Sequence, residues 1–417
     1  MKIAIIGSGI AGNMASYLLR EEHEITVFEA NDYIGGHVNT VSVAEGDELI
    51  AIDTGFIVFN NKTYPNFISL LEELGVPSKP SSMSFSVQCP HIGLEYNGAT
   101  LNSLFAQRGN LFRPFFYRMI WDILRFNREA PLAFSRNEND SRLIDYLFEN
   151  RYSSEFVDYY LIPICAAIWS ADPSDIGQVP GRFIVRFLEN HGLLNINDRP
   201  IWRVINGGSR SYIDRLVAGH RDRIRLSSPV QCVRRHSDGV DVKAFGADSE
   251  HFDYVFIACH SDQALRMLAD TTPIESEVLG AIRYQANEVV LHSDKSLLPK
   301  RRLAWAAWNY HVADNPLGSL SVTYNMNILQ GLSLPRTYCV TLNNTDRIRP
   351  DKVIMRTTYD HPLFTRESIA AQSRHADING VSRTFYCGAY WRNGFHEDGL
   401  LSAQTAVQHF KEYLQNA

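Results

Sequence analysis

The chain has 417 residues, of which 45% are hydrophobic and 21% charged, with a net charge of −6. That is a globular composition with enough apolar material for two or three domains' worth of core. The acidic balance leaves no basic surplus for neutralising phosphates, which excludes nucleic acid as a partner class. Six scattered cysteines (Cys89, Cys165, Cys232, Cys259, Cys339 and Cys387) have no paired spacing. They read as reduced thiols and give no metal-ligand pattern. No uninterrupted apolar run reaches about eighteen residues, so no spanning helix and a cytoplasmic location are expected.

The first forty residues carry the strongest pattern. Lys2–Ile6 is a short apolar run without turn residues, expected as a strand buried on both faces. It leads into Gly7-Ser8-Gly9-Ile10-Ala11-Gly12 and then a segment with helical spacing of Met14, Leu18 and Leu19. A second apolar run, Glu24–Phe28, ends on Glu29. This is the strand, glycine turn, helix, strand and acid of a dinucleotide site. Gly7 permits the turn, Gly9 lets the backbone approach a pyrophosphate, and Gly12 lets helix and strand pack closely. The helix start at Ile10 and Ala11 offers free N–H groups and a positive dipole end to phosphates. Glu29 is placed to accept hydrogen bonds from ribose hydroxyls.

A second glycine pair, Gly35-Gly36, follows, with His37 and Thr40 after it. The series Glu29-Ala30-Asn31-Asp32-Tyr33-Ile34-Gly35-Gly36-His37 resembles that of the flavin-containing amine oxidase and protoporphyrinogen oxidase superfamily. The resemblance implies FAD, noncovalently held, with contacts from Gly35, Gly36, His37, Thr54 and Gly55. Members usually carry a basic residue in place of Tyr33 and an arginine in place of His37.

Tyr64–Leu74 has helical spacing and is ended by Gly75-Val76-Pro77. Alternating residues near 80–100 close on Asn97-Gly98, a hairpin signal. In the stretch 110–134, Phe112, Phe115, Phe116, Met119, Ile120, Ile123 and Leu124 are expected on one helical face. Arg113, Arg118, Arg125 and Arg128 are expected on the other. Two readings of that helix stand: packing on its own domain, or peripheral contact with a membrane surface. Trp202–Tyr212 resembles the segment where the superfamily's chain returns to the FAD domain. Strands are expected from Val230 to Ala258, with the Val230 backbone meeting the adenine in relatives. Later β-rich segments bring Asn309, Tyr310, Tyr324, Asn327 and Asn343 as cavity-lining candidates.

The chain's last strand, glycine turn and helix, Thr384 to about Leu414, resembles the superfamily's closing FAD motif, implying contacts from Gly388, Ala389, Asp398, Gly399 and Leu400. Ala389 stands where relatives usually have an acid. Separated motifs covering most of the chain, among them LHSD, WAAWNY, VTYNMNILQ, DHPLF and GFHEDG, look like a bacterial subgroup of NAD/FAD-binding oxidoreductases found near cyclopropane-fatty-acid synthases.

The resemblance implies an α/β fold: a Rossmann-like FAD-binding domain from about 1–75, 203–270 and 376–417. A discontinuous substrate domain of mixed sheet and helices fills 76–202 and 271–375. The leading functional expectation is hydride transfer from an apolar substrate to flavin N5, with an unsaturated or methylated fatty acyl chain as the class the resemblance implies. An amine oxidase, a redox-neutral flavin-dependent isomerase and a non-catalytic flavin-binding protein are the alternatives. Candidate catalytic residues are His396 and Glu397, beside the expected flavin, then Tyr310 and His292. Cys387 and His37 are the conceivable points of covalent flavin attachment. Substrate, electron acceptor and oligomeric state are not legible.

Overall fold

A computed structural model describes residues 1–135, 141–195, 197, 199–312 and 320–416. The apolar run Lys2–Ile6 forms a strand with Ile3, Ala4, Ile5 and Ile6 all buried. It is sandwiched in a five-stranded parallel sheet in the order 224–225, 24–28, 2–6, 254–257 and 384–386. Helices Ile10–Leu19 and His396–Asn416 pack on each other beside this sheet. Burial on both faces explains the unbroken apolar runs, since no face of these strands meets water. A small antiparallel sheet of 230–235, 240–244 and 249–252 lies alongside.

The second large element is a seven-stranded sheet in the order 353–362, 284–292, 339–342, 322–325, 308–311, 85–89 and 94–97. Its pairs are antiparallel except that 308–311 runs parallel to 85–89. One continuous core joins this sheet to the helices 114–135, 143–149, 162–169 and 181–190. Phe116, Phe126 and Phe156 there are fully buried, each worth about 1.5–3 kcal/mol relative to exposure.

Two local expectations change. The hairpin turn is Pro90–Gly93, between strands Phe85–Cys89 and Leu94–Asn97, with Gly93 at φ +60°. Asn97-Gly98 instead leads into a helix at Leu101–Leu104, capped by Thr100. In the helix Pro114–Ser135 the buried face is Phe116, Met119, Asp122, Phe126, Ala130 and Phe134. Phe112 and Leu124 point outward, because 3.6-residue periodicity sets Leu124 off the line of Phe116, Met119 and Phe126.

A buried carboxylate ties the parts together. Asp53 accepts from the Thr40 hydroxyl at 2.6 Å, the Ser209 N–H at 2.9 Å and the Ser209 hydroxyl at 2.7 Å. Gln330 donates to it at 3.2 Å and accepts from its backbone N–H at 3.1 Å. Burial pushes its carboxyl up to about 6.

Candidate functional site

The glycine loop has the shape its spacing implies. A Cβ on Gly12 would stand 1.8 Å from the Gly7 carbonyl oxygen, so only glycine lets the first helix start there. Gly9 differs: a Cβ there would meet nothing within 4 Å. The loop therefore faces open space at the residue where a phosphate must approach. Glu29 is buried at the adjoining strand end. Its Oε2 accepts from the Ser8 N–H at 2.8 Å and the Ser8 hydroxyl at 2.6 Å, and its Oε1 from the Asn31 N–H at 2.8 Å. Ala30 is exposed beyond it. Ser228 donates its N–H to the Glu29 carbonyl at 2.8 Å, which brings the start of the Val230 strand to the same edge.

The second glycine pair closes over the first. A Cβ on Gly36 would lie 3.2 Å from the Gly9 Cα, and one on Gly55 would lie 2.2 Å from the His37 carbonyl oxygen. Thr54 hydrogen-bonds the Asn39 carbonyl at 3.0 Å and the Tyr359 hydroxyl at 2.9 Å. At the far end of the chain, a Cβ on Gly399 would meet Ile10 at 2.7 Å and Ala389 at 3.7 Å. The first turns of the two long helices thus converge on one place. Leu400 is wholly in the core, and the Gly388 N–H donates to the Ser402 hydroxyl at 2.8 Å.

Histidines gather beside this loop. The His37 ring lies 6.1 Å from His260, 5.5 Å from His361 and 4.9 Å from Tyr359. Tyr284 stacks on His260 at 4.5 Å. These three imidazoles keep accessible surface although they sit deep in the molecule, as do Gly9, Gly36, Gly55, Ala258 and Ala389. Desolvation lowers His37 and His260 to about 4 and His361 to about 3, with mutual repulsion adding to it. His361 comes from the other sheet, on the strand Val353–Pro362, and meets His37 only through the fold.

The candidate bases are placed differently from one another. His396 is buried, stacked on Phe56 at 3.7 Å, with Nε2 at 2.6 Å from the Tyr212 hydroxyl. Burial, with His37 nearby, lowers it to about 3. Glu397 accepts from the Asn66 N–H at 3.0 Å, the Asn66 side chain at 2.6 Å and the Phe67 N–H at 2.9 Å. It therefore caps the helix Pro65–Glu73, satisfying N–H groups that the helix itself cannot. Asp398 accepts the Phe395 N–H at 3.0 Å, and burial raises it to about 6. Tyr310 is buried in the second sheet near Phe85, and burial raises its hydroxyl above the tyrosine range.

The geometry does not bring His292 to this place. It bonds Thr341 at 2.7 Å and accepts the Asp294 N–H at 3.0 Å. It ends the strand Tyr284–His292, whose other end carries Tyr284, about 26 Å away at strand rise. Asn309 is likewise no cavity group, since it bonds Ser86, Ala306 and the Thr323 carbonyl. Cys387 is sealed in the core, which pushes its thiol well up and removes it as an attachment point.

An apolar wall adjoins the site. A π turn at Val157–Leu161 precedes the helix Ile162–Trp169, the kind of irregularity that often marks functional sites. Tyr160, Ile164 and Ile168, four residues apart, are partly accessible within the core, as are Phe85 and Trp308 opposite. Phe183, Phe187, Phe364 and Phe395 stack in pairs at 4.9 and 5.0 Å. Trp169 donates its indole N–H to the Asn393 carbonyl at 3.3 Å, beside the last helix.

Comparison with known proteins agrees with this geometry. Residues 8–299 match the family model described as flavin containing amine oxidoreductase. The chain is 25% identical over 258 residues to the Mycobacterium tuberculosis protein named as flavin-containing monoamine oxidase AofH, covering 60% of this chain and 54% of that one. It thus spans about half the length of the curated relatives it matches. Among solved structures, cyclohexylamine oxidase from Brevibacterium oxydans is 16% identical, with a TM-score of 0.72 over 99% of both chains. A fatty acid isomerase from P. acnes that produces CLA is 15% identical, with a TM-score of 0.69 over 98% of both. At those identities the likeness is one of fold, and it bears out the expected α/β class. FAD is the family's cofactor, and the residues present fit it: an open approach at Gly9, a buried acid at the second strand, and two helix N-termini converging.

Proposed function

The chain belongs to the flavin-containing amine oxidoreductases, and from that premise we propose that it oxidises an elongated apolar substrate, of which an acyl chain is the best-fitting class. The observation that carries this reading is the half-buried, apolar group of Tyr160, Ile164, Ile168, Phe85 and Trp308, packed against the core of the second sheet. Such a surface recovers free energy from a hydrocarbon chain and excludes water around it.

Bound FAD would supply the two-electron acceptor for an oxidation that removes a hydride and releases a proton to solvent. The glycine loop, Glu29 and the helix starts at Ile10 and His396 would hold the dinucleotide. The apolar wall would orient the carbon that loses hydride, and orientation of this kind is worth several kcal/mol of barrier. His396 and Glu397 serve as supports: one is held neutral against Tyr212, and the other has its oxygens committed to a helix end.

The test is an anaerobic visible spectrum of the FAD-loaded protein against candidate substrates. Bleaching by an unsaturated fatty acid and not by cyclic or linear amines supports the reading. Bleaching by amines alone replaces it with amine oxidation. Conversion of the fatty acid to an isomer, with no net flavin reduction, replaces it with redox-neutral isomerisation.

A further inference from the structure

The helix Pro114–Ser135 has an outer face that none of the described residues covers. Tyr117, Trp121, Leu124, Arg128 and Leu132 follow each other at helical spacing along it, with Phe112 just before its start. Phe112 is 87%, Trp121 65% and Leu132 70% exposed. Among the described residues, sixteen large hydrophobic side chains are exposed, and eight of these lie between Leu101 and Phe148. The apolar exposure is therefore concentrated here. The pieces are contiguous: the Phe105 ring is 6.1 Å from Tyr117, and Arg125 donates to the Asn150 carbonyl at 2.6 Å.

Charge distinguishes this face from the rest of an acidic protein. Between Arg108 and Ser135 there are five arginines against two acids, Asp122 and Glu129, in a chain of net charge −6. Asp122 is buried and pairs with Arg125 at 3.3 Å, so Glu129 is the exposed acid of this stretch. The Arg118 and Arg128 side chains are 60% and 72% exposed. Their pairs with Glu155 and Glu129 lie at the surface, where such pairs hold weakly and leave the guanidinium free to exchange partners. Exposed Trp, Tyr, Phe and Leu interleaved with arginine suit the boundary between acyl chains and anionic headgroups. At 22 residues the helix is about 33 Å long, and no helix among the described residues is long and apolar enough to cross a membrane.

We propose that this face is the protein's docking surface for an anionic bilayer. The helix lies flat, Phe112, Trp121 and Leu132 enter the headgroup–acyl boundary, and the arginines bind lipid phosphates. The inner face of the same helix belongs to the core that contains the apolar wall. A chain drawn from the bilayer would thus have a short path, although docking stands independently of what the substrate is.

The experiment is co-sedimentation of the full FAD-loaded chain with vesicles of phosphatidylcholine alone, or with about 30 mol % phosphatidylglycerol. Binding is expected with the anionic vesicles, weakened by salt. A Phe112→Ser, Trp121→Ser, Leu132→Ser variant should bind at least about tenfold more weakly. Phe245→Ser, at an exposed turn elsewhere, should bind as the parent does. Circular dichroism and flavin absorbance verify that the variants fold. Absence of binding to anionic vesicles, or undiminished binding by the triple variant, overturns the proposal. So does a dimer, seen by light scattering, that the triple variant dissolves while vesicles are ignored, since a second copy would then be the occupant.

Discussion

The Tyr212 hydroxyl meets His396 Nε2 at 2.6 Å, across 184 residues of sequence, with Phe56 stacked on the imidazole face. Because burial holds His396 at about 3, the ring is neutral near pH 7 and the bond joins two uncharged groups. Tyr212→Phe should cost about 1–2 kcal/mol, the loss of one buried hydrogen bond. FAD should be retained, because the aromatic packing stays. Urea unfolding with flavin absorbance as a second signal measures both; an unchanged midpoint would show the bond to be energetically idle.

Gly9 and Gly12, three residues apart, should behave in opposite ways. Gly12→Ala would press a methyl into the Gly7 carbonyl and should destabilise by about 1–3 kcal/mol or more. Gly9→Ala has room and an ordinary φ of −67°, so the protein should fold normally. Its methyl would nonetheless occupy the phosphate approach, and FAD affinity should fall by at least about tenfold, roughly 1.4 kcal/mol. Thermal melts and FAD titration separate the two; a Gly9→Ala protein with undiminished FAD affinity would contradict the assigned cradle.

These glycines also mark what the sequence could disclose. Local patterns such as Gly7-to-Gly12, the buried strands and the closing glycine turn are written in consecutive residues, so spacing reveals them. The Asp53 hub, the gathering of His37, His260 and His361, and the Glu397 cap join residues hundreds of positions apart. Each of those residues looks ordinary in its own neighbourhood. His396-Glu397 illustrates the limit: its position near the cofactor motif was legible, whereas its hydrogen-bond partners, which decide its role, were not. The outward turn of Leu124 was missed because Leu124, apolar itself, borders the buried line of Phe116, Met119 and Phe126.

Asp53 offers a further test. Asp53→Ala would strand the Ser209 N–H and the Thr40 hydroxyl in a dry place, and should cost roughly 2–4 kcal/mol. Denaturant unfolding should show a lower midpoint. A shift within error would mean that Gln330 and the remaining polar groups satisfy one another.

The histidine group should make FAD affinity depend on pH. Without ligand, His37 and His260 titrate near 4 and His361 near 3. Tyr359, Tyr284 and Asn287 face them as neutral groups, while Asp262 and Arg266 act on His260 with opposite signs. A nearby pyrophosphate raises an imidazole's pKa, so binding takes up protons. Affinity then strengthens as pH falls below the bound-state pKa, by up to about tenfold per pH unit for each proton. Titrations at about pH 7 and about pH 5, reaching down toward the ligand-free values, read this directly. His361→Gln should flatten the slope, and equal affinities at both pH values would remove the anion from this wall.

The strand 2–6 has neighbours at 24–28 and at 254–257, and the latter pairs in turn with 384–386. Glu397 then fastens a helix that begins at Pro65. During synthesis the early strands must wait, apolar and unpaired on one side, until some two hundred and fifty further residues have emerged. The barrier to folding is thus set by long-range loop closure, and a pause late in translation exposes the first sheet edge to aggregation rather than to its own partner.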